Sequence, residues 1–320
     1  MKGMSAPAPM RIDMLHEAIA ARPDSADLIF QLAETFAEIG DDDGFAACFL
    51  RAFQLAPQIR PRLDLDATTE LPVRAAKLAR QARALLERGI TPAPVISALA
   101  IAAALLGDRG EVARLVDYAR FVRCLDLDPQ ATPTDGRRHA DLIGELASNL
   151  KRVEKGAGKA GDGEYRFNVF AAGSPACAAL GREIRRQVKR YIAALPSPID
   201  HPFIASRPNA FSLEAWAVFS RGNDFFAPHI HPQAWLSGVY YVQQPRVAAK
   251  RGWLRLCAPA HFGVTAADGW GERQVEPVPG RLVLMPGYFY HATSPTLSDQ
   301  ARICVAFNVV PSDLSNATAR

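Results

Sequence analysis

The feature that most limits what this chain can fold into is a change of hydrophobic period part-way along it. Up to about residue 150, apolar side chains recur every three or four positions, as in Leu28, Leu32, Phe36 and Ile39, which is the period of an amphipathic helix. One further segment of this kind, with Leu180, Ile184, Val188, Tyr191 and Ile192, runs from Pro175 to about Leu195. Beyond it the pattern breaks into short runs: LEAWAVFS, WLSGVYYV, GWLRLCA, GRLVLMP and RICVAFNVV. These are rich in aromatic and β-branched residues and are parted by Gly or Pro, as in an antiparallel barrel or jelly roll. The expected fold class is α+β, an all-α region followed by a jelly-roll domain.

Within the helical part, ADLIFQLAETFAEIGDDDGFAACFLRAFQLAP places Ile29, Leu32, Ala33, Phe36, Gly40, Phe49, Ala52 and Pro57 close to the spacing of a tetratricopeptide repeat, which it resembles. Phe45 departs from that pattern, which prefers a small residue there. A weaker copy runs from about Ala93 to Asp128, and LPVRAAKLARQARALLERG supplies one more helix between them. Such helical hairpins either cover the following domain or form a groove that recruits a peptide or protein. The polar, Gly-rich stretch 151–164, KRVEKGAGKAGDGE, reads as a flexible linker. The expected division is thus a tetratricopeptide-like domain over 1–150, a linker over 151–164 and a β domain over 165–320.

Composition excludes several classes. A chain of 320 residues with 49% hydrophobic and 22% charged residues can bury a substantial core and is not broadly disordered. Its formal net charge of +4 comes from interleaved charges, so nucleic acid is not an expected partner. The five cysteines, Cys48, Cys124, Cys177, Cys257 and Cys304, contain no CxxC pair and read as reduced thiols. The opening MKGMSAPAPMRID lacks a secretory apolar stretch, and the longest apolar run, Val95 to Leu106, is short for a bilayer and contains Ser97. The expectation is a cytoplasmic protein without membrane association; oligomeric state is left open.

The chemistry concentrates in the β part. In APHIHPQAW, His229 and His231 stand two apart, so on an extended segment both imidazoles project from one face, the spacing of metal ligands. Such a pair alone also occurs as a surface or packing pair. His291, in PGYFYHATSP, ends another expected strand, and a barrel can bring the two strands together. Arg302 follows eleven residues later on the next apolar strand; a buried guanidinium there requires an anion, which a small dicarboxylate would supply. Tyr241, ten residues after His231, carries a hydroxyl able to share that anion or simply packs in its strand. His16 and His139 read as surface residues; His201 and His261 flank loops and are candidates for indirect support or substrate contact. Trp216 and Trp235 read as core.

The succession FFAPHIHPQAWLSGVYYV, GWLRLCAP, PGRLVLMPGYFYHATSP and DQARICVAFNVVP resembles the 2-oxoglutarate- and Fe(II)-dependent oxygenases, in particular a branch with tetratricopeptide-like helices ahead of a double-stranded β-helix. The resemblance covers roughly Phe211 to Pro311. It implies Fe(II) held by His229, His231 and His291, with 2-oxoglutarate as co-substrate and O2 as oxidant. It implies that Arg302 and Tyr241 hold the far carboxylate of the co-substrate. Two positions depart from the wider pattern: His231 occupies the place of the usual carboxylate, and Cys304 stands where a serine is usual. A two-His, one-carboxylate face suits non-haem iron and leaves positions open, and a third imidazole makes the site one unit more positive. Three readings follow: an active three-His oxygenase, a site completed by a carboxylate such as Asp224, or a degenerate barrel behind a helical binding module. A three-His dioxygenase that dispenses with 2-oxoglutarate is a further alternative, against which Arg302 argues. Read through the resemblance, the expected activity is hydroxylation of a peptide or protein side chain recruited by the helices, with the loop Ala258 to Arg273 setting regiochemistry.

Overall fold

The computed structural model describes residues 7–63, 69–127, 140–148, 164–165, 169–170, 174–196, 200–248 and 250–312. Helices α1 (Ala8–Ala21), α2 (Ala26–Ile39), α3 (Asp42–Leu55), α4 (Leu71–Glu87), α5 (Ala93–Leu105), α6 (Arg109–Leu115) and α7 (Tyr118–Phe121) come first. They are followed by α8, described over 140–148, and by α9 (Pro175–Ala193) and α10 (Pro202–Ala205). Two antiparallel sheets complete the chain. The six-stranded sheet has the order β1-β8-β5-β10-β3-β2, from β1 (Arg123–Asp126), β8 (Arg281–Pro286), β5 (Leu236–Gln243), β10 (Arg302–Pro311), β3 (Phe211–Ser220) and β2 (Glu164–Tyr165). The four-stranded sheet has the order β4-β9-β6-β7, from β4 (Phe226–His229), β9 (His291–Thr293), β6 (Leu254–Leu256) and β7 (Arg273–Val275). Mixed helix and antiparallel sheet bears out the α+β expectation. Among the described residues no helix is long and apolar enough to cross a membrane.

The first hairpin forms where the repeat-like spacing places it. Gly40 closes α2 in the left-handed region at φ 81°, where a Cβ would be strained, and Asp41 caps α3 by accepting from the Gly44 N–H at 2.8 Å. Phe45, the misfit in the repeat pattern, is buried and packs its ring against Phe49, 6.0 Å between centroids. The second unit does not repeat this. The apolar run at α5 is buried on every face, but α6 ends after seven residues and α7 is a single turn. Residues 123–126, expected inside the helical region, instead form β1 and pair with β8 in register from Arg123↔Leu284 to Asp126↔Arg281. The expected linker lies outside the described residues except for Glu164, which belongs to β2.

The helices are not tethered beside the sheets but built onto them. Tyr288 donates to the Leu115 carbonyl at 2.5 Å, Tyr191 to the Phe121 carbonyl at 2.8 Å, and Arg273 to the Tyr118 carbonyl at 2.8 Å. Phe203 stacks on Trp235 with centroids 4.6 Å apart and meets Phe121 edge-on. One apolar core therefore runs from α2 and α3 through α5 into the sheets. The loop 258–273 is likewise fastened: the second of its two 3₁₀ turns, Ala266–Asp268, is pinned by Arg109 donating to the Ala267 carbonyl at 3.0 Å, and Trp270 is buried.

Candidate metal centre

Alternation along the six-stranded sheet decides which side chains face the second sheet. Register pairs Arg302 with Ser220, Cys304 with Val218 and Tyr241, Ala306 with Trp216 and Val239, and Asn308 with Glu214 and Ser237. Residues 302, 304, 306 and 308 thus share one face of β10. A cleft with about 60 Å³ of room lies between the sheets. From the larger sheet it is lined by Trp216, Tyr241, Met285 and Arg302, and from the smaller by Phe226, Leu254, His291 and Thr293.

His229 ends β4, His291 begins β9, and the two strands pair directly at these residues. His231 lies in the turn after β4, where its N–H donates to the Gly287 carbonyl at 2.9 Å. Gly287 is required there because a Cβ would lie 2.0 Å from the Ala234 carbonyl oxygen. These contacts gather the three imidazoles, one ring nitrogen from each lying within 4.8 Å of the others. Each ring is anchored at Nδ1: His229 donates to the Ala227 carbonyl at 2.8 Å, His291 to the Phe289 carbonyl at 3.0 Å, and His231 to Oδ1 of Asn308 at 2.7 Å. Because all three acceptors are oxygens, Nδ1 is the donor in each ring, and in a neutral imidazole this leaves Nε2 as the ligating nitrogen; those of His231 and His291 face one another.

The test of whether a metal fits follows from this tautomer. Nε2 of His231 and Nε2 of His291 stand 3.2 Å apart. Two lone pairs at that distance repel unless a proton or cation is shared between them. Two nitrogens each about 2.1 Å from one ion at a near-right angle would be about 3 Å apart. Burial and the two neighbouring imidazoles push the pKa of His291 well below its ordinary value, so this ring is neutral and able to ligate. The donor set fits a divalent transition metal that accepts imidazole.

Arg302 is 2% exposed, and among the described residues no carboxylate pairs with it. Its guanidinium donates to the Gly252 carbonyl at 2.9 Å and to Ser220 Oγ at 2.8 Å, while its Nε has no hydrogen-bond partner. A buried cation supported only by neutral acceptors retains demand for an anion. Tyr241 lines the same cleft as a fully buried phenol, held neutral chiefly by desolvation, with Arg302 close enough to oppose that shift.

The structure brings His229, His231, His291, Arg302 and Tyr241 together and leaves other candidates apart. Asp224 accepts from the Arg221 N–H at 2.8 Å, closing a turn, and is not in the histidine group. His201 is buried between the helices and the sheets, accepting from the Phe203 N–H and donating to the Arg114 carbonyl, with its pKa lowered to about 4 by burial. His261 lies near Arg60 and Tyr290, His16 is exposed on α1, and His139 lies outside the described residues. The segment 258–273 contributes nothing to the cleft lining, because it is drawn onto α6. Trp235 is core, as expected. Trp216 instead lines the cleft, its ring 5.8 Å from that of His231 and inclined by 25°. Sequence reasoning missed Asn308 and Ser220; the available signal was parity with Arg302, six residues before Asn308 on the same strand.

No curated protein sequence matches the chain. Among solved structures it is similar to a Pseudomonas putida prolyl-4-hydroxylase, at 18% identity and TM-score 0.39, covering 62% of this chain and 97% of that one. It is also similar to a Trichoplax adhaerens prolyl hydroxylase in complex with a hypoxia inducible factor peptide fragment, at 10% identity and TM-score 0.43, covering 67% and 96%. A third is HygX from Streptomyces hygroscopicus with nickel and 2-oxoglutarate bound, at 12% identity and TM-score 0.40, covering 62% and 86%. In sequence, residues 214–308, the stretch that carries the three histidines, Tyr241, Arg302 and Asn308, match the family model described as "Putative 2OG-Fe(II) oxygenase".

Proposed function

We propose that this protein is a 2-oxoglutarate- and Fe(II)-dependent oxygenase whose iron is held by His229, His231 and His291. The observation that carries the reading is the pairing, in one cleft, of three clustered imidazoles, each anchored at Nδ1, and a buried guanidinium lacking an anion. When bound, Fe(II) and 2-oxoglutarate would supply oxygen activation through oxidative decarboxylation, with succinate as co-product. The chain's own part is to bind, orient and exclude water. Arg302, aimed by Ser220 and the Gly252 carbonyl, would hold the far carboxylate of the co-substrate, and Tyr241 would donate to it. Trp216, Val218, Phe226 and Leu254 wall the cleft with apolar surface, which keeps bulk water from the reacting centre and strengthens the charge interactions inside it.

The double-stranded β-helix reading of the two sheets belongs to the same proposal, as does hydroxylation of a peptide or protein side chain presented alongside the helical layer. A reducing, cytoplasmic setting accords with five cysteines that form no disulfide among the described residues. The test is anaerobic addition of Fe(II) and 2-oxoglutarate to apoprotein, reading the visible charge-transfer band of the chelate, then oxygen and a succinate assay. A band followed by succinate supports the proposal. Iron uptake without a band would remove 2-oxoglutarate from it, and no iron uptake would overturn it.

A further inference from the structure

The imidazole in the usual carboxylate position is also the one whose orientation its own segment does not set. His229 and His291 each donate Nδ1–H to a carbonyl two residues back in the chain. His231 sits in a turn, and its Nδ1 partner comes from the opposite sheet, 77 residues away. A ring on a turn can present either nitrogen by rotating about its last torsion, and an acceptor on one side removes that freedom. Resting on the iron-site reading above, we propose that Asn308 is the positioning residue that makes a three-histidine centre workable. Its Oδ1 fixes His231 as the Nδ1–H tautomer and turns Nε2 toward the metal. The Trp216 ring lies beside that of His231, with centroids 5.8 Å apart. The inward face of β10 then carries both ends of the site, Arg302 for the anion and Asn308 for the ligand that replaces a carboxylate. A neutral amide suits this place because it orients the imidazole without adding charge.

The test uses the full chain with Co(II), titrated anaerobically by absorbance, together with the hyperfine-shifted, exchangeable ring N–H proton resonances of the bound imidazoles. Asn308→Ala is expected to weaken Co(II) binding about 10- to 100-fold and to abolish or exchange-broaden one of those resonances. Asn308→Asp, which keeps an acceptor in place, is expected to retain both. In a His231→Ala background, adding Asn308→Ala is expected to change Co(II) affinity less than about twofold, since the residue then has nothing to position. Should the alanine variant not fold, Asn308→Leu against Asn308→Asp gives the same comparison at near-constant volume. Wild type that binds Co(II) no better than Asn308→Ala overturns this inference alone, as does an equal loss in the His231→Ala background. Wild type that takes up no stoichiometric Co(II) overturns the iron-site reading and this inference together.

Discussion

Replacing Arg302 by Met separates what a buried cation does for the fold from what it does for a ligand. In the folded protein the guanidinium gives hydrogen bonds to Gly252 and Ser220. Losing them costs about 1.5–3 kcal/mol each, since both involve a charged group. Against this, desolvating an unpaired cation costs several kcal/mol, and Met removes that penalty at similar volume. The two terms nearly cancel, so the ligand-free variant is expected within about 2 kcal/mol of wild type. The ligand side is one-signed. A carboxylate on the guanidinium gains two charge-assisted hydrogen bonds worth about 3–6 kcal/mol together, so its removal should weaken 2-oxoglutarate about 10²- to 10⁴-fold. The assay is anaerobic thermal or urea unfolding of the Fe(II) form with and without 2-oxoglutarate. At 100 times its dissociation constant the co-substrate stabilises wild type by about 2.7 kcal/mol, whereas at that same concentration the variant should gain less than about 0.4 kcal/mol. A variant that keeps the full ligand-induced stabilisation refutes the anchor assignment. One that loses more than about 4 kcal/mol without ligand shows Arg302 to be structural.

Three further outcomes are expected. Gly287→Ala, which drives a Cβ into the Ala234 carbonyl, should cost about 3 kcal/mol or more and weaken metal uptake with it, because the Gly287 carbonyl holds the His231 turn; unchanged Co(II) affinity and melting temperature would contradict this. His201 has its pKa lowered to about 4, so the unfolded chain binds more protons between pH 6.5 and 4, and stability should fall as pH drops through that window by roughly 3 kcal/mol. The acid slope of urea midpoints should flatten in His201→Gln, and an unaltered slope would assign the effect elsewhere. Tyr288→Phe, which strips the buried Leu115 carbonyl of its donor, should cost about 1–2 kcal/mol and lower one shared unfolding transition; two resolved transitions would show helices and sheets to be separable.

Much of this architecture was legible because it depends on period and spacing. The run α1 to α5, the apolar strands and the HxH pair with a distal histidine follow from side chains repeating at 3.6 or 2, and strand parity placed Arg302 inside. What was not legible depends on partners distant in sequence. Around Arg123 the only strand signal is the brief alternation Leu125-Asp126-Leu127, too short to stand alone, and the extended form is fixed by pairing with β8. The weaker repeat does not complete its second helix, and spacing alone cannot show that α6 stops at Leu115. His201 looks like any loop histidine until the Arg114 carbonyl and the Phe121 ring close over it. Asn308 lies among apolar neighbours on β10, and only the arrival of the His231 turn from the facing segment makes it a side chain with a role.

The capture of β1 by β8 has a consequence for how the chain comes to be folded. Arg123–Asp126 have nowhere to settle until residues 281–286 exist, so during synthesis the early helices wait for most of the chain before their last turn is tied down. Leu115, Tyr118 and Phe121 wait as well, since their carbonyl partners lie on Tyr288, Arg273 and Tyr191. Pairings across such separations close slowly, and the nascent helical segment keeps apolar surface uncovered in the interval. Expression yield should therefore depend on chaperone supply, and a cut between the helices and the sheets should release two pieces with sticky faces rather than two working modules.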